Sequence, residues 1–297
     1  MRAKHPIHTT ISTEAIRVLE RYEKELGAKN TVLERALLNM DKLRFKAKLD
    51  TTRMETHIKR ISTGIPGLDN LLEGGIPKGF LITLTGPPGT GKTTLAMQFL
   101  LEGTEHHEKC LLFSYEEDIK QLVKHCTRFG WDIGKYLNDG YLEVFGITRL
   151  TPEEIIDVIE AFKPERIVFD SINVFADTHN LRHTPSWRNV LKTIKTREIT
   201  TIIVTEKRHG LEKREYDDYD FMSDGIIFLD KTTLSEFDTY KTYVLAIQKM
   251  RATKTDETPK PIKFTEKGIE FYKQLHLPGE KETLQRTTNP LNPRTHR

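Results

Sequence analysis

Cysteine is nearly absent from this chain, with Cys110 and Cys126 the only two in 297 residues. Two thiols make no disulfide framework, which excludes the small cross-linked secreted scaffolds and fits a reducing cytosol. No apolar run reaches the roughly 18 residues of a membrane span, so a transmembrane helix is excluded and no membrane partner is expected. The opening Met1-Arg-Ala-Lys-His-Pro6 lacks the apolar core of a secretory signal, and the expected location is cytoplasmic. No internal repeat is visible. Nothing near the cysteines suggests a metal site, and the adjacent His106 and His107 read as a solvated helix end. What is present, 37% hydrophobic residues over 297 positions, is enough for one large domain and a small one.

The most informative segment is Phe80-Leu-Ile-Thr-Leu-Thr-Gly86-Pro87-Pro88-Gly89-Thr90-Gly91-Lys92-Thr93-Thr94. An apolar strand-like run leads into G-x-x-x-x-G-K-T, and a helix-like run follows. Glycines let backbone N–H groups turn inward around phosphate oxygens, and the helix offers its N-terminal dipole to the same charge. Lys92 has the reach for the β- and γ-phosphates, and Thr93 has the hydroxyl for magnesium. A nucleoside triphosphate and Mg2+ are the expected ligands.

The net charge of +3 conceals a division. Residues 1–60 hold 14 Lys/Arg against 8 Asp/Glu, residues 61–250 hold 22 against 29, and residues 251–297 hold 10 against 6. A basic N-terminal piece on an acidic middle fits a nucleic-acid reader joined to an enzyme, and equally a soluble lysine-rich helical piece. In residues 6–12, Ile7, Thr9 and Ile11 alternate with His8, Thr10 and Ser12 as in a short strand. A helix is expected from about Glu14 to Leu26, with Ala15, Ile16, Leu19, Tyr22 and Leu26 on one face and Gly27 stopping it. A second, capped by Asn30 or Thr31, carries Val32, Leu33, Ala36, Leu37 and Met40.

The expected organisation is a module at 1–43, a linker at 44–60, a large domain at 61–274 and a disordered Pro/Thr/Arg-rich tail at 275–297. Within the large domain, strands are expected at 80–85, 110–114, 141–145, 166–170, 200–205 and 225–229. Helices are expected at 93–103, 117–130, 152–162 and 186–197. This alternation predicts an α/β fold, a mainly parallel sheet flanked by helices, and segments 225–230, 240–249 and 262–272 predict a β-rich end.

Arg166-Ile-Val-Phe-Asp170 is an apolar strand ending in a carboxylate, suited to hold a magnesium hydration shell opposite the phosphate loop. Leu111-Leu-Phe-Ser-Tyr-Glu116-Glu117 ends the strand after the loop's helix. A carboxylate there stands at the carboxyl edge of the sheet, where it can orient the attacking water, so Glu116 and Glu117 are the candidate catalytic acids beside Lys92. The same pair also suits a helix N-terminus, which favours acids.

Here a family resemblance enters. Ile61-Ser-Thr-Gly-Ile-Pro-Gly-Leu-Asp69 through Gly79, followed by Gly86 to Thr94, resembles the entry to a KaiC-type domain of the RecA superfamily, in its archaeal-style, single-copy form. Phe113 to Glu117 is similar to that family's glutamate pair, and Ile199 to Glu206 to the strand bearing its sensor, which would make Glu206 the sensor. Ser223-Asp-Gly-Ile-Ile-Phe-Leu229 and Lys249-Met-Arg251-Ala-Thr253 complete the match. The resemblance implies a RecA-like ATPase that assembles into a homo-oligomer, a hexameric ring, in which Lys249 and Arg251 act on a neighbour's nucleotide. It implies ATP rather than GTP, and the chain has no guanine-reading N-K-x-D. Asp220 and Phe221 stand about where the clock protein's phosphorylated Ser-Thr pair lies, so an autokinase is the outlying alternative, as is a nucleotide-gated scaffold without turnover. The segments 177–187 and 207–220 stand where recombinases carry DNA-binding loops, but the mixed charge of the second reads as a solvated loop.

Residues 10–37 resemble a ribbon-helix-helix DNA-binding module. Two such modules pair their strands into a ribbon that enters the major groove, which would set His8 and Thr10 toward bases and Asn30 and Thr31 toward phosphate. The alternative is a helical hairpin that dimerises or packs on the ATPase.

Overall fold

The computed structural model describes residues 13–26, 33, 58–115, 119–147, 150–172, 184–207, 210–211, 218–233 and 241–272. The chain divides into two units, Met1–Thr56 and His57–Arg297. In the first, helix α1 spans Thr13–Leu26, as the periodicity predicts. Ile16 and Tyr22, two members of the expected apolar face, are exposed. The expected strand at 6–12, the second helix except for Leu33, and His8, Thr10, Asn30 and Thr31 lie outside the described residues.

The second unit is built on a sheet of nine strands. Before it, β1 (Arg60–Ile61) pairs antiparallel with β2 (Ile76–Pro77), with α2 (Pro66–Leu71) between them. Residues 58–60, at the end of the segment read as a linker, therefore belong to this unit. The large sheet comprises β3 (Leu81–Gly86), β4 (Cys110–Ser114), β5 (Leu142–Gly146), β6 (Arg166–Asp170), β7 (Thr200–Glu206), β8 (Gly225–Thr232), β9 (Thr242–Met250), β10 (Lys260–Thr265) and β11 (Gly268–Phe271). Its order is β11-β10-β9-β8-β3-β7-β6-β4-β5. The six strands from β8 to β5 run parallel, while β9, β10 and β11 add antiparallel pairs beyond β8. This is the mainly parallel, helix-flanked sheet with a β-rich end that the sequence pattern predicts.

Both faces of the parallel strands are covered, which is why their sequences read as continuous apolar runs. Ile82, Leu84 and Val168 pack under α3 (Lys92–Glu105) with Leu95, Phe99 and Leu100. On the other face Leu81, Phe113, Phe169 and Ile203 meet α6 (Pro152–Phe162) and α7 (Pro185–Thr196) through Ile155, Ile159, Trp187 and Val190. Local signals start these helices where expected. Thr151 and Glu154 close a capping box with Pro152 inside it, and the Thr184 hydroxyl accepts from Trp187 N ahead of Pro185. Helices α4 (Ile119–Thr127) and α5 (Ile133–Asn138) follow β4, and α8 (Asp218–Met222) precedes β8. The helix end at His106 is solvated, and its ring lies 3.1 Å from Glu102 Oε1. Among the described residues no helix is long and apolar enough to cross a membrane.

Candidate functional site

Parallel strands bring their carboxyl ends to one edge, and that edge carries the candidate site. β3 ends at Gly86, whose φ of +145° and approach to the Leu229 carbonyl leave no room for a Cβ. The loop turns through Pro87, Pro88, Gly89 and Thr90, with the Thr90 hydroxyl donating to Pro87 O at 2.8 Å. It passes into α3 at Gly91, which has φ +97° and lies beneath the ring of Phe264. The helix starts at Lys92, so its first N–H groups face the loop.

Lys92 is 7% exposed. Its Nζ donates to Gly86 O and Pro87 O, each at 3.0 Å, and stands 3.7 Å from Glu206 Oε1. Glu206 reaches that place because β7 runs beside β3 with Gly86 opposite Glu206. A cleft of about 630 Å³ opens here, lined by Pro88, Gly89, Gly91, Lys92, Thr93, Thr94, Asp170, Ser171 and Glu206. The structure thus gathers the phosphate loop, the strand-end aspartate and the expected sensor around one cavity.

The donor set fits a nucleotide with a hard divalent cation. Thr93 and Asp170 supply a hydroxyl and a carboxylate, the oxygen ligands such an ion takes. Ser171 Oγ is buried in the same wall, with no hydrogen-bond partner among the described residues. A polar atom in that state is suited to a ligand or its water.

Sequence reasoning missed the far wall of the cleft, formed by His125, Arg128, Phe129, Tyr243 and Phe264. His125 Nε2 lies 3.3 Å from Thr94 Oγ1. Phe129 stacks on Trp131 at 4.7 Å, with the Arg128 guanidinium 5.8 Å from its ring centre. Tyr243 and Phe264 meet edge to face at 4.8 Å, and Lys231 Nζ lies 4.4 Å from the Tyr243 ring centre. Aromatic planes and cations suit a base and its phosphates, but these residues come from α4, the turn after it, β9 and β10. No local motif joins them.

Glu116 and Glu117 lie outside the described residues, although the strand leading to them is well placed. In register Ser114 lies opposite Asp170, and Tyr115 N donates to Asp170 O at 2.7 Å. Lys249 and Arg251 are not at this cleft. β9 ends at Met250, so Arg251 stands in the following turn rather than alternating along a strand. Its N donates to Asp224 O, its Nη1 meets Asp224 Oδ1 at 2.8 Å, and Asp224 N donates to Leu81 O at the start of β3. Five residue steps of β3 separate that level from Gly86, about 16 Å at ~3.3 Å per residue. Lys249 Nζ donates to Asp220 O at 3.1 Å and Ser223 O at 2.6 Å. Partial burial and the neighbouring Arg251 charge lower its pKa below the ordinary lysine value.

Known proteins resemble this chain in sequence and fold. The family described as KaiC, an ATPase, matches residues 61–276, and a second family, described as a family N-terminal domain, matches residues 11–44. A UPF0273 protein of Aeropyrum pernix is 32% identical over 241 residues, covering 72% of this chain and 94% of the relative. The circadian clock oscillator protein KaiC of Acaryochloris marina is 27% identical over 269 residues, 82% of this chain but 48% of that protein. The crystal structure of a KaiC-like protein from Pyrococcus horikoshii superposes with a TM-score of 0.61 at 31% identity, covering 73% of this chain and all of the other. With its phosphate loop, its strand order and the family match over residues 61–276, the chain belongs to the KaiC family of ATPases.

Proposed function

We propose that this protein binds ATP with Mg2+ and hydrolyses it as a cytoplasmic homo-oligomer, in which each chain completes its neighbour's site. The observation that carries the reading is the convergence of Lys92, Thr93, Asp170 and Glu206 on one cleft at the carboxyl edge of the sheet. The loop N–H groups and Lys92 bind and orient the phosphates. Thr93 and Asp170 would hold the metal, which supplies charge neutralisation on the phosphate oxygens. Glu116 and Glu117, which follow β4 in the sequence, orient the attacking water and take its proton. Glu206, 3.7 Å from Lys92, reads the occupancy of the phosphate position. The aromatic wall with Arg128 takes the base end.

Arg251 stands about 16 Å of strand away from its own phosphate loop, and Lys249, level with Thr83 across β8, about 10 Å. A role at a neighbour's nucleotide suits that position, and a closed ring, a hexamer by family resemblance, supplies the neighbour. Ser223 is fully buried, its hydroxyl 3.0 Å from Thr83 Oγ1, which counts against an autokinase. Turnover measured for the parent, Lys92→Ala and Asp170→Asn, with mass measurement in the presence and absence of ATP, tests the reading. ATP hydrolysis by the parent, lost in both variants, is expected. A parent that binds ATP without turnover would leave a nucleotide-gated scaffold.

A second reading concerns the first 50 residues. Their basic balance, and the exposed Ile16 and Tyr22 on α1, suit a module that pairs with a second copy and binds DNA through phosphates. His8 and Thr10 are the candidate base contacts, and Asn30 and Thr31 the candidate phosphate contacts. Anisotropy of labelled duplex against salt, for the full chain and a chain starting at Arg53, decides it. Affinity that falls steeply with salt and disappears on truncation is expected. Equal affinity of the two chains would refute the DNA role.

A further inference from the structure

The segment that enters the ATPase unit brings one arginine to the turn that carries Arg251. Arg60, in β1, has a side chain 12% exposed. Its Nη1 lies 2.8 Å from Leu72 O, 3.2 Å from Gly75 O and 2.9 Å from Thr253 Oγ1. Its Nη2 lies 2.8 Å from Glu73 Oε2 and 3.0 Å from Ala252 O. These acceptors belong to two separate segments. Leu72, Glu73 and Gly75 form the turn between α2 and β2, while Ala252 and Thr253 directly follow Arg251. A planar guanidinium with forked donors is the side chain suited to fix two such segments against each other. The turn it holds is a constrained one. Ala252 has φ +55°, a left-handed conformation that a non-glycine residue keeps only when its surroundings impose it. The Arg251 side chain itself is 58% exposed and rests on Asp224.

We infer that Arg60 is a positioning residue for Arg251. It fixes the turn from which Arg251 reaches the neighbouring subunit's nucleotide, so its loss impairs the subunit that donates Arg251 and leaves that subunit's own cleft intact. This inference rests on the reading that Arg251 acts across the subunit boundary, and mixed assemblies separate the two claims. Arg251→Ala keeps an intact cleft and donates nothing. Lys92→Ala has a dead cleft and an intact Arg251. Turnover that reappears when the two are mixed establishes donation, and no recovery would end both the reading and the inference.

With recovery established, the donor is changed to Arg60→Ala/Lys92→Ala. We expect it to restore at most about a tenth of the activity that the Lys92→Ala donor restores, since a catalytic group misplaced by ~1 Å costs up to ~10²-fold. Equal recovery would overturn the role of Arg60 while leaving the reading of Arg251 in place. In the homogeneous Arg60→Ala protein, ATP affinity should stay at the parent value while kcat falls, and Arg60→Lys should lie between, having the charge without the fork. Affinity and melting temperature that fall together would indicate a merely structural arginine and overturn the inference. Should Arg60→Ala not fold, Thr253→Val/Lys92→Ala serves as donor, removing one acceptor on the turn. A drop of about fivefold, the worth of one ordinary hydrogen bond, supports the inference, and full recovery overturns it.

Discussion

Replacing Gly91 with alanine should destabilise the ATPase unit through two separable costs. Gly91 has φ +97°, and an added Cβ would sit 2.4 Å from Phe264 Cζ and 2.7 Å from Cε1. The left-handed backbone costs a non-glycine residue roughly 1–2 kcal/mol. The contact adds overpacking, roughly 1–3 kcal/mol, because Phe264 is held edge-on by Tyr243 and cannot move away freely. The total is about 2–5 kcal/mol, and at ~2–4 °C per kcal/mol for a unit of this size the melting temperature should fall by about 4–20 °C. Gly89 is the control: its φ is +72°, but nothing lies within 4 Å of its added Cβ. Gly89→Ala should therefore cost only the backbone part, about 1–2 kcal/mol. The decisive assay is a urea-unfolding cycle with Phe264→Ala. In that background Gly91→Ala should lose its steric cost, giving a coupling of about 1–3 kcal/mol. A Gly91→Ala chain no less stable than Gly89→Ala, or a cycle with no coupling, would refute the packing of Phe264 on the phosphate loop.

Lys92→Ala should abolish tight ATP binding in calorimetry, because no other group replaces an ammonium at the phosphates; retained affinity would remove the phosphate-loop assignment. Glu116→Gln or Glu117→Gln should leave ATP binding intact and slow hydrolysis by about 10²-fold or more, and a double variant at the parent rate would place water activation elsewhere. Burial raises the pKa of Asp69 above its ordinary value, against the hydrogen bonds from Thr63 and Ser62. A raised carboxyl favours folding below its unfolded pKa of about 3.9, and that contribution is lost as pH rises through the folded value. Asp69→Asn should therefore match the pH trend of the parent except in that window, where the parent loses stability relative to it; urea midpoints differing by a constant at every pH would contradict this. Burial also pushes the Cys110 thiol up to about 12. It should resist alkylation at neutral pH until the chain unfolds, and rapid native-state labelling located by peptide mapping would count against its burial.

Legibility followed chain locality. The expected strands at 110–114 and 166–170 and the helix at 152–162 have the observed bounds, since apolar runs, Pro152 and the Thr151 box are local signals. The loop between β3 and α3 and the strand end at Asp170 are legible as structural positions for the same reason. Segment 262–272 reads as one run, yet it is two strands, β10 and β11, folded back at Gly268 with φ +107°. The short helices α2, α5 and α8 were missed, because five or six residues carry too little periodicity. So was the far wall of the cleft, since Arg128, Tyr243 and Phe264 line one cavity only once β9 and β10 are added to the sheet. The contacts of Arg60 were invisible for a further reason. Four of the five are to backbone carbonyls or a hydroxyl, which leave no charge pattern in sequence.

Strand β7 does not end freely at Glu206. Lys207 N donates to Gly86 O at 3.3 Å, and its side chain, 8% exposed, meets the buried Asp220 carboxylate at 2.7 Å. Lys249 in turn holds the carbonyl of the same Asp220. Sliding β7 along β3 would separate this buried ion pair, which costs several kcal/mol when one charge is left alone. Glu206 is therefore mounted on a backbone that stays still. Any change in its distance to Lys92 would then come from rotation about its own χ angles, a motion of picoseconds to nanoseconds for an exposed side chain. If Glu206 senses the phosphates as proposed, a rotamer would carry the signal, at a speed set by solvent rather than by the fold.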